Sequence, residues 1–277
     1  MMSIPMNRFD RAKKHVKNGR MTYTEKLLAR IDASGSRLCV GIDPRPDLIG
    51  GDLETALERF VDEITPYAAC FKPNIAYFEA LGSEGYALLE RLIERIDDEV
   101  PILLDAKRGD IGATQEYYAK AYFDRMDVDA VTLNAFMGFD AIEPFLKYEN
   151  RAVYLLAVTS NAGSADIELQ KTDTGRYVFE LVQDMAQRGQ DAGLPGEVGL
   201  VVGLTNVSEE VISRVDDLPL LLPGLGAQGG DVASLAGQSR QAPMLINVSR
   251  GVLFPSEGKS HAEAAAGFVE AINSAFQ

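Results

Sequence analysis

The 277-residue chain has no tryptophan, two cysteines and two histidines, and each shortage removes a class of chemistry. Two cysteines cannot build a disulfide framework, so a reducing cytoplasm is the expected setting. His15 lies in the basic N-terminal stretch and His261 near the C-terminal helical segment. That placement leaves no basis for histidine acid–base work or a Ser-His-Asp triad. No Cys/His cluster has zinc spacing, and no metal site is expected. Long apolar runs are missing as well: Ala152 to Val158, the longest, has seven residues, against about 20 needed to span a bilayer. No membrane partner and no signal peptide are expected, because the first twenty residues contain no apolar segment. No Pro/Gly/Ser tract divides the chain into domains.

Cations are scarce: 27 Lys and Arg face 41 Asp and Glu, a net charge of −14. Six of those cations (Arg8, Arg11, Lys13, Lys14, Lys17, Arg20) and one acid lie in residues 1–20, so the remainder carries 21 against 40, or −19. A body that acidic repels phosphate backbones and anionic membranes, and no nucleic-acid partner is expected. Residues 1–20 read as a loose, solvated extension, and residues 21–277 as the folded domain.

What is present is a repeated unit, a short apolar run followed by a polar break and a helix-like stretch. The runs are Leu38–Asp43, Ala69–Asn74, Pro101–Asp105, Val128–Asn134, Ala152–Val158, Val198–Gly203, Leu218–Pro223 and Pro243–Val248. Eight buried strands alternating with helices predict an α/β fold, a single-domain (β/α)8 TIM barrel of about 250 residues. Helical spacing of apolar residues predicts helices at Leu53–Ile64, Tyr86–Ile96 and Tyr177–Arg188. A long loop, about Thr159–Gly175, follows the fifth strand, where barrels build lids. A doubly wound sheet is the rival, since Gly224, Gly226 and Gly229 spell G-x-G-x-x-G. The acidic residue such a dinucleotide site wants about 20 positions later is absent. Gly258-Lys259-Ser260 likewise resembles the end of a P-loop, but Leu253 stands where glycine is required.

Alternation along the strands aligns Cys39, Gly41 and Asp43 on one face, Cys70, Lys72 and Asn74 on the next, and Leu103, Asp105 and Lys107 on the third. If those faces point inward, Asp43, Lys72, Asp105 and Lys107 meet at the C-terminal mouth, with Asp110 on the following loop. Alternating signs neutralise one another, so the cluster reads either as a structural ion-pair network or as a catalytic array. Cys39 and Cys70 read as small buried fillers. The loops after strands seven and eight carry Pro223–Gly230 with Gln228, and Ser249-Arg250-Gly251. Glycine backbone and a guanidinium there predict a phosphate site. Asn206-Val-Ser208 and Asn247-Val-Ser249 are formal glycosylation sequons without a secretory context.

At Asp105-Ala-Lys-Arg-Gly-Asp110-Ile-Gly-Ala-Thr114 the chain resembles the longer branch of the orotidine 5′-phosphate decarboxylases. Leu38-Cys-Val-Gly-Ile-Asp-Pro44, Phe71-Lys-Pro-Asn74, Asn134-Ala-Phe-Met-Gly138, Thr159-Ser160-Asn161, Pro223–Asp231 and Val248-Ser-Arg-Gly251 follow in that family's order. The resemblance implies decarboxylation without metal or organic cofactor. It implies Lys107 as proton donor to C6, Asp105 beside the substrate carboxylate, and Asp43 and Lys72 at the ribose. Ser160 would meet the pyrimidine, and Gln228 and Arg250, with Pro223 and Ser249 beside them, the phosphate. Asp110, Ile111 and Thr114 would enter the other subunit's site, making a homodimer with shared active sites. Two rivals share the barrel: a metal-dependent phosphosugar aldolase or epimerase, and a silent barrel that only binds nucleotide.

Overall fold

The structure, a computed structural model, describes residues 21–203, 205, 208–224 and 240–276. The basic stretch 1–20 and the segment 225–239, which contains Gln228, lie outside the described residues. Each of the eight apolar runs overlaps a strand: β1 Leu38–Ile42, β2 Cys70–Pro73, β3 Leu103–Arg108, β4 Ala130–Leu133, β5 Ala152–Val158, β6 Glu197–Val202, β7 Leu220–Pro223 and β8 Met244–Val248. Of these, β3 extends three residues past its run and β6 starts one residue before its own. They pair in parallel in the order β2-β1-β8-β7-β6-β5-β4-β3. Between β2 and β3 the ring closes through two isolated bridges, Phe71 to Ile102 and Asn74 to Asp105. This is the expected (β/α)8 barrel.

Strands buried on both faces need apolar residues at nearly every position, which is why the runs are continuous. Leu38, Val40 and Ile42 face outward into the layer shared with the helices, while Cys39, Cys70, Leu103, Ala130, Ala152 and Leu245 fill the interior. The two cysteines are free, buried register partners on neighbouring strands. Tyr154 occupies the interior because Gly199 opposite has no side chain; a Cβ there would lie 2.6 Å from the Tyr154 ring.

The helix Tyr23–Ser34, started by a Thr22/Glu25 capping box, plugs the bottom of the barrel. Its Tyr23 and Leu27 join the interior cluster, and the Tyr23 hydroxyl meets that of Tyr154 at 3.2 Å. Burial pushes both phenols above their ordinary titration range. Lys26 Nζ donates to Asp129 at 2.6 Å, tying the plug to the β3–β4 edge. With one end closed by apolar contacts, the polar strand residues gather at the other.

The expected helix Leu53–Ile64 forms with those bounds, capped by Asp52 accepting from the Thr55 amide at 2.8 Å. The next runs Gly82–Arg95 and starts before the predicted Tyr86 because its first turn, Gly-Ser-Glu-Gly, is polar and invisible to apolar spacing. The third runs Val178–Asp191. The predicted loop after β5 contains a 3-10 turn, Ala162–Asp166, and one antiparallel bridge from Lys171 to Tyr177.

Candidate active site

The mouth is organised by an irregularity in β3. Leu104 pairs with Val131 and Arg108 with Leu133, so three residues of β3 stand opposite Thr132 alone. Such a bulge bends the strand and re-aims side chains. Lys107 takes up the bend at φ 48°, in the left-handed region that non-glycine residues seldom occupy. Thr132 fills the gap: its hydroxyl accepts from the amides of Ala106 at 3.0 Å and Lys107 at 2.9 Å, and donates to Asp105 Oδ1 at 2.9 Å. Strict alternation predicted that Asp105 and Lys107 meet. They do meet, but the bulge rather than regular pleating brings them together.

Asp105 is the centre of the array. Its Oδ1 accepts from Lys107 Nζ at 2.5 Å and its Oδ2 from Lys72 Nζ at 2.8 Å. Lys72 and Asp105 are buried, while the Lys107 side chain is 49% exposed at the mouth. Burial alone would push the Asp105 carboxyl up, but the two ammonium groups overcome it and hold the acid well below the usual carboxylate range. Burial alone would push Lys72 down, yet Asp105 and then Asp43 hold its ammonium above the ordinary lysine range. Asp105 and Lys72 therefore both stay charged at neutral pH. Asp43 is half-buried, and its Oδ1 has no hydrogen-bond partner among the described residues.

Beside this array lies a cavity of about 300 Å³. Five predicted residues line it: Asp43, Ser160, Pro223, Ser249 and Arg250. Lys72, Asp105 and Lys107 are not in its lining, so Asp43 is the link between array and cavity. Close backbone approaches shape its walls. A Cβ on Gly41 would lie 1.8 Å from Ser249 Oγ, and a Cβ on Gly203 would lie 2.6 Å from the Ser160 amide nitrogen. Glu168 fastens the loop holding Ser160, accepting from the Thr159 amide at 2.7 Å and from its hydroxyl at 3.0 Å. Gly224, at φ 113°, is the described part of the glycine segment.

Three predicted residues are not brought into this chain's array. Asp110 is half-buried, accepts from the Ile111 amide at 2.8 Å and forms no ion pair with another described residue. Ile111 and Thr114 are exposed. The structure also adds residues that sequence reasoning missed. Arg45, Tyr77 and Asn247 line the cavity, and the Asn247 Oδ1 is buried without a described partner. Asn247 and Thr132 had a signal, a polar residue inside an apolar strand at an inward position; Tyr77 had none. Among the described residues, no three His, Cys, Asp or Glu side chains form a metal-ligand set. No helix among them is long and apolar enough to cross a membrane.

Comparisons with known proteins converge on one family. The sequence profile of the "Orotidine 5'-phosphate decarboxylase / HUMPS family" matches residues 36–265. The orotidine 5′-phosphate decarboxylase of Ralstonia pickettii (strain 12J) is 42% identical over 261 residues, covering 88% of this chain and 94% of that one. That of Roseiflexus sp. (strain RS-1) is 42% identical over 257 residues, covering 88% and 93%. Among solved structures, Leishmania donovani OMP decarboxylase superposes with a TM-score of 0.80 at 34% identity, covering 92% of this chain and 99% of that one.

Proposed function

The chain belongs to the orotidine 5′-phosphate decarboxylase / HUMPS family and by that membership is a decarboxylase, and we propose that it converts orotidine 5′-phosphate to uridine 5′-phosphate without a cofactor. In this reading it closes de novo pyrimidine synthesis in the cytoplasm. The observation that carries it is the Lys72–Asp105–Lys107 array, two lysines ion-paired to one carboxylate at the barrel mouth next to a cavity bearing Arg250.

The chemical difficulty is the electron pair left on C6 when the bond to the carboxylate breaks and CO₂ departs. A fixed ammonium at Lys107 stabilises that charge as it develops and then gives its proton to C6. Solvent returns a proton to Lys107, which its exposure permits. Asp105 orients Lys107 and sets negative charge beside the departing carboxylate. Lys72 keeps Asp105 ionised and, with Asp43, holds the ribose. Arg250, with Ser249, Pro223 and Gln228, holds the phosphate, and Ser160 meets the pyrimidine. Phosphate and ribose contacts lie away from the bond that breaks, yet their binding energy holds the reacting carbon against the array.

We also assign the working unit as a homodimer with shared sites. Ile111 (59% exposed), Tyr117, Phe136 (78% exposed) and Met137 present large apolar surface from the segments after β3 and β4. Those segments lie side by side because Gly109 packs on Asn134; a Cβ there would be 2.8 Å from the Asn134 carbonyl oxygen. Exposed large apolar side chains on two adjacent segments support an interaction face there. Asp110, Ile111 and Thr114, unused in their own chain, would cross it into the partner's site.

The test is to mix the protein with orotidine 5′-phosphate and follow the loss of its ultraviolet absorbance, with and without chelator. Turnover should survive chelation, and Lys107→Ala should abolish it while product binding persists. A Lys107→Ala variant keeping more than about a tenth of kcat, a loss below about 1.4 kcal/mol, would overturn the assignment.

A further inference from the structure

We propose that Thr132 is a positioning residue for the decarboxylation step, a single hydroxyl that sets both the backbone of Lys107 and the carboxylate of Asp105. The inference rests on the reading that Asp105 and Lys107 carry the chemistry. Thr132 is the polar residue of β4, Ala-Val-Thr-Leu, and is 1% exposed. A hydroxyl has one proton to donate and two lone pairs to accept. Here all three are used, and all three go to the catalytic segment: two amides donate in, and the proton goes to Asp105 Oδ1.

The direction of each bond follows from chemistry. Amides can only donate, and an ionised carboxylate can only accept, so the threonine proton must point at Asp105. Oδ1 then has two donors, Thr132 and Lys107 Nζ, while Oδ2 has Lys72. Three donors fix the plane of the carboxylate; two ammonium groups on flexible stems would not.

The backbone argument is independent. Inside the bulge the ladder between β3 and β4 is out of register, so the amides of Ala106 and Lys107 have lost their ordinary strand partners. Thr132 replaces both. Lys107 sits at φ 48°, which a non-glycine residue holds only when its surroundings over-determine it. Two consecutive amides captured by one oxygen are such a constraint. The hydroxyl thus fixes where the Lys107 side chain leaves the backbone, and so where its ammonium stands against C6.

Thr132→Val keeps the branched shape and removes only the hydroxyl. It should lower kcat by about 10²-fold, the loss that a misplacement of about 1 Å brings. Affinity for uridine 5′-phosphate should stay within about threefold, since the cavity residues are untouched. Thr132→Ser, which restores the hydroxyl without the methyl, should return kcat to within about threefold of wild type. Should the valine variant fail to fold, Thr132→Ala against Thr132→Ser gives the same comparison. Serine active and alanine impaired, at equal nucleotide affinity, would support the assignment. A valine or alanine variant as active as serine, or kcat and nucleotide affinity falling together, would overturn it. Lys107→Ala in the same series separates the two readings: activity there refutes the catalytic roles, whereas an inactive Lys107→Ala beside an active Thr132→Val refutes only the role of Thr132.

Discussion

A methyl group at Gly41 should damage the proposed phosphate end of the site, even though Gly41 touches no proposed substrate atom. The added Cβ would stand 1.8 Å from Ser249 Oγ, 2.6 Å from its Cβ and 3.0 Å from its Cα. Rotating the serine side chain moves Oγ but neither carbon. Ordinary contact begins at 3.4 Å, so the Ser249 Cβ is about 0.8 Å too close and the end of β8 must retreat. Overpacking of this kind costs about 1–3 kcal/mol of stability. Ser249 lines the cavity and precedes Arg250, so the retreat carries the guanidinium with it. Gly41→Ala should therefore lower the unfolding midpoint and raise KM for orotidine 5′-phosphate, with kcat/KM falling by up to about 10²-fold. The companion is Gly41→Ala with Ser249→Gly, which removes the two closest contacts and leaves only the Cα. Thermal unfolding without ligand should find this double variant more stable than Gly41→Ala alone, a coupling of opposite sign to the single losses. Wild-type KM in Gly41→Ala, or a still lower unfolding midpoint in the double variant, would refute the steric argument.

Arg250→Ala should weaken phosphorylated substrate by about 1.5–3 kcal/mol, the value of a charge-assisted hydrogen bond, and leave turnover of the nucleoside lacking phosphate unchanged; equal losses on both would remove Arg250 from the phosphate site. Lys107→Ala and Asp110→Ala proteins, mixed, dissociated and reassociated, should regain about a quarter of wild-type activity, because each heterodimer then holds one intact site of two. No recovery, with heterodimers confirmed by mass, would refute shared sites. Asp105→Asn strands the buried Lys72 ammonium and should destabilise the fold by about 3–5 kcal/mol near neutrality. The folded Asp105 is depressed, so its contribution is present above about pH 3.9 and is lost as pH falls toward the folded value. The gap between the unfolding curves of the two proteins should start to narrow below about pH 4 and close only near the depressed folded value; a constant gap would show that the charge does not matter.

Much of this molecule was legible in the residues. The eight strands were readable because a barrel strand is buried on both faces and leaves an unbroken apolar run, as at Ala152–Val158. The inward face was readable from alternation, since Cys39, Cys70 and Leu103 share the interior cluster. The link between Asp105 and Lys107 was expected on partly wrong grounds, because a bulge is a departure from period two that no pattern of residue types announces. Arg45 lines the cavity from the loop after β1 and Tyr77 from the short helix Ile75–Glu79 after β2, and where those segments run depends on packing between distant parts of the chain. Gly41 was read as a position on a strand face; that it makes room for Ser249, 208 positions away in sequence, only the three-dimensional register of β1 and β8 discloses.

The seam between β2 and β3 sets fold and chemistry against each other. Two isolated bridges join these strands, and Lys72 and Asp105 reach across the same line. Replacing a buried ion pair with well-packed apolar residues is often neutral or stabilising by about 1–4 kcal/mol. Selection for a sturdier barrel alone would therefore favour exchanging Lys72 and Asp105 for apolar neighbours that bond the seam by contact. On the proposed mechanism both charges have to stay, so that route is closed and improvements in durability have to arise elsewhere, in the plug at Tyr23–Ser34 or the outer helices. Ligand that engages either charge adds its binding energy to the closed ring, by about 2.7 kcal/mol at a hundredfold excess over Kd. The seam is thus the line along which a working cell's nucleotide level would reinforce the enzyme against heat and proteolysis.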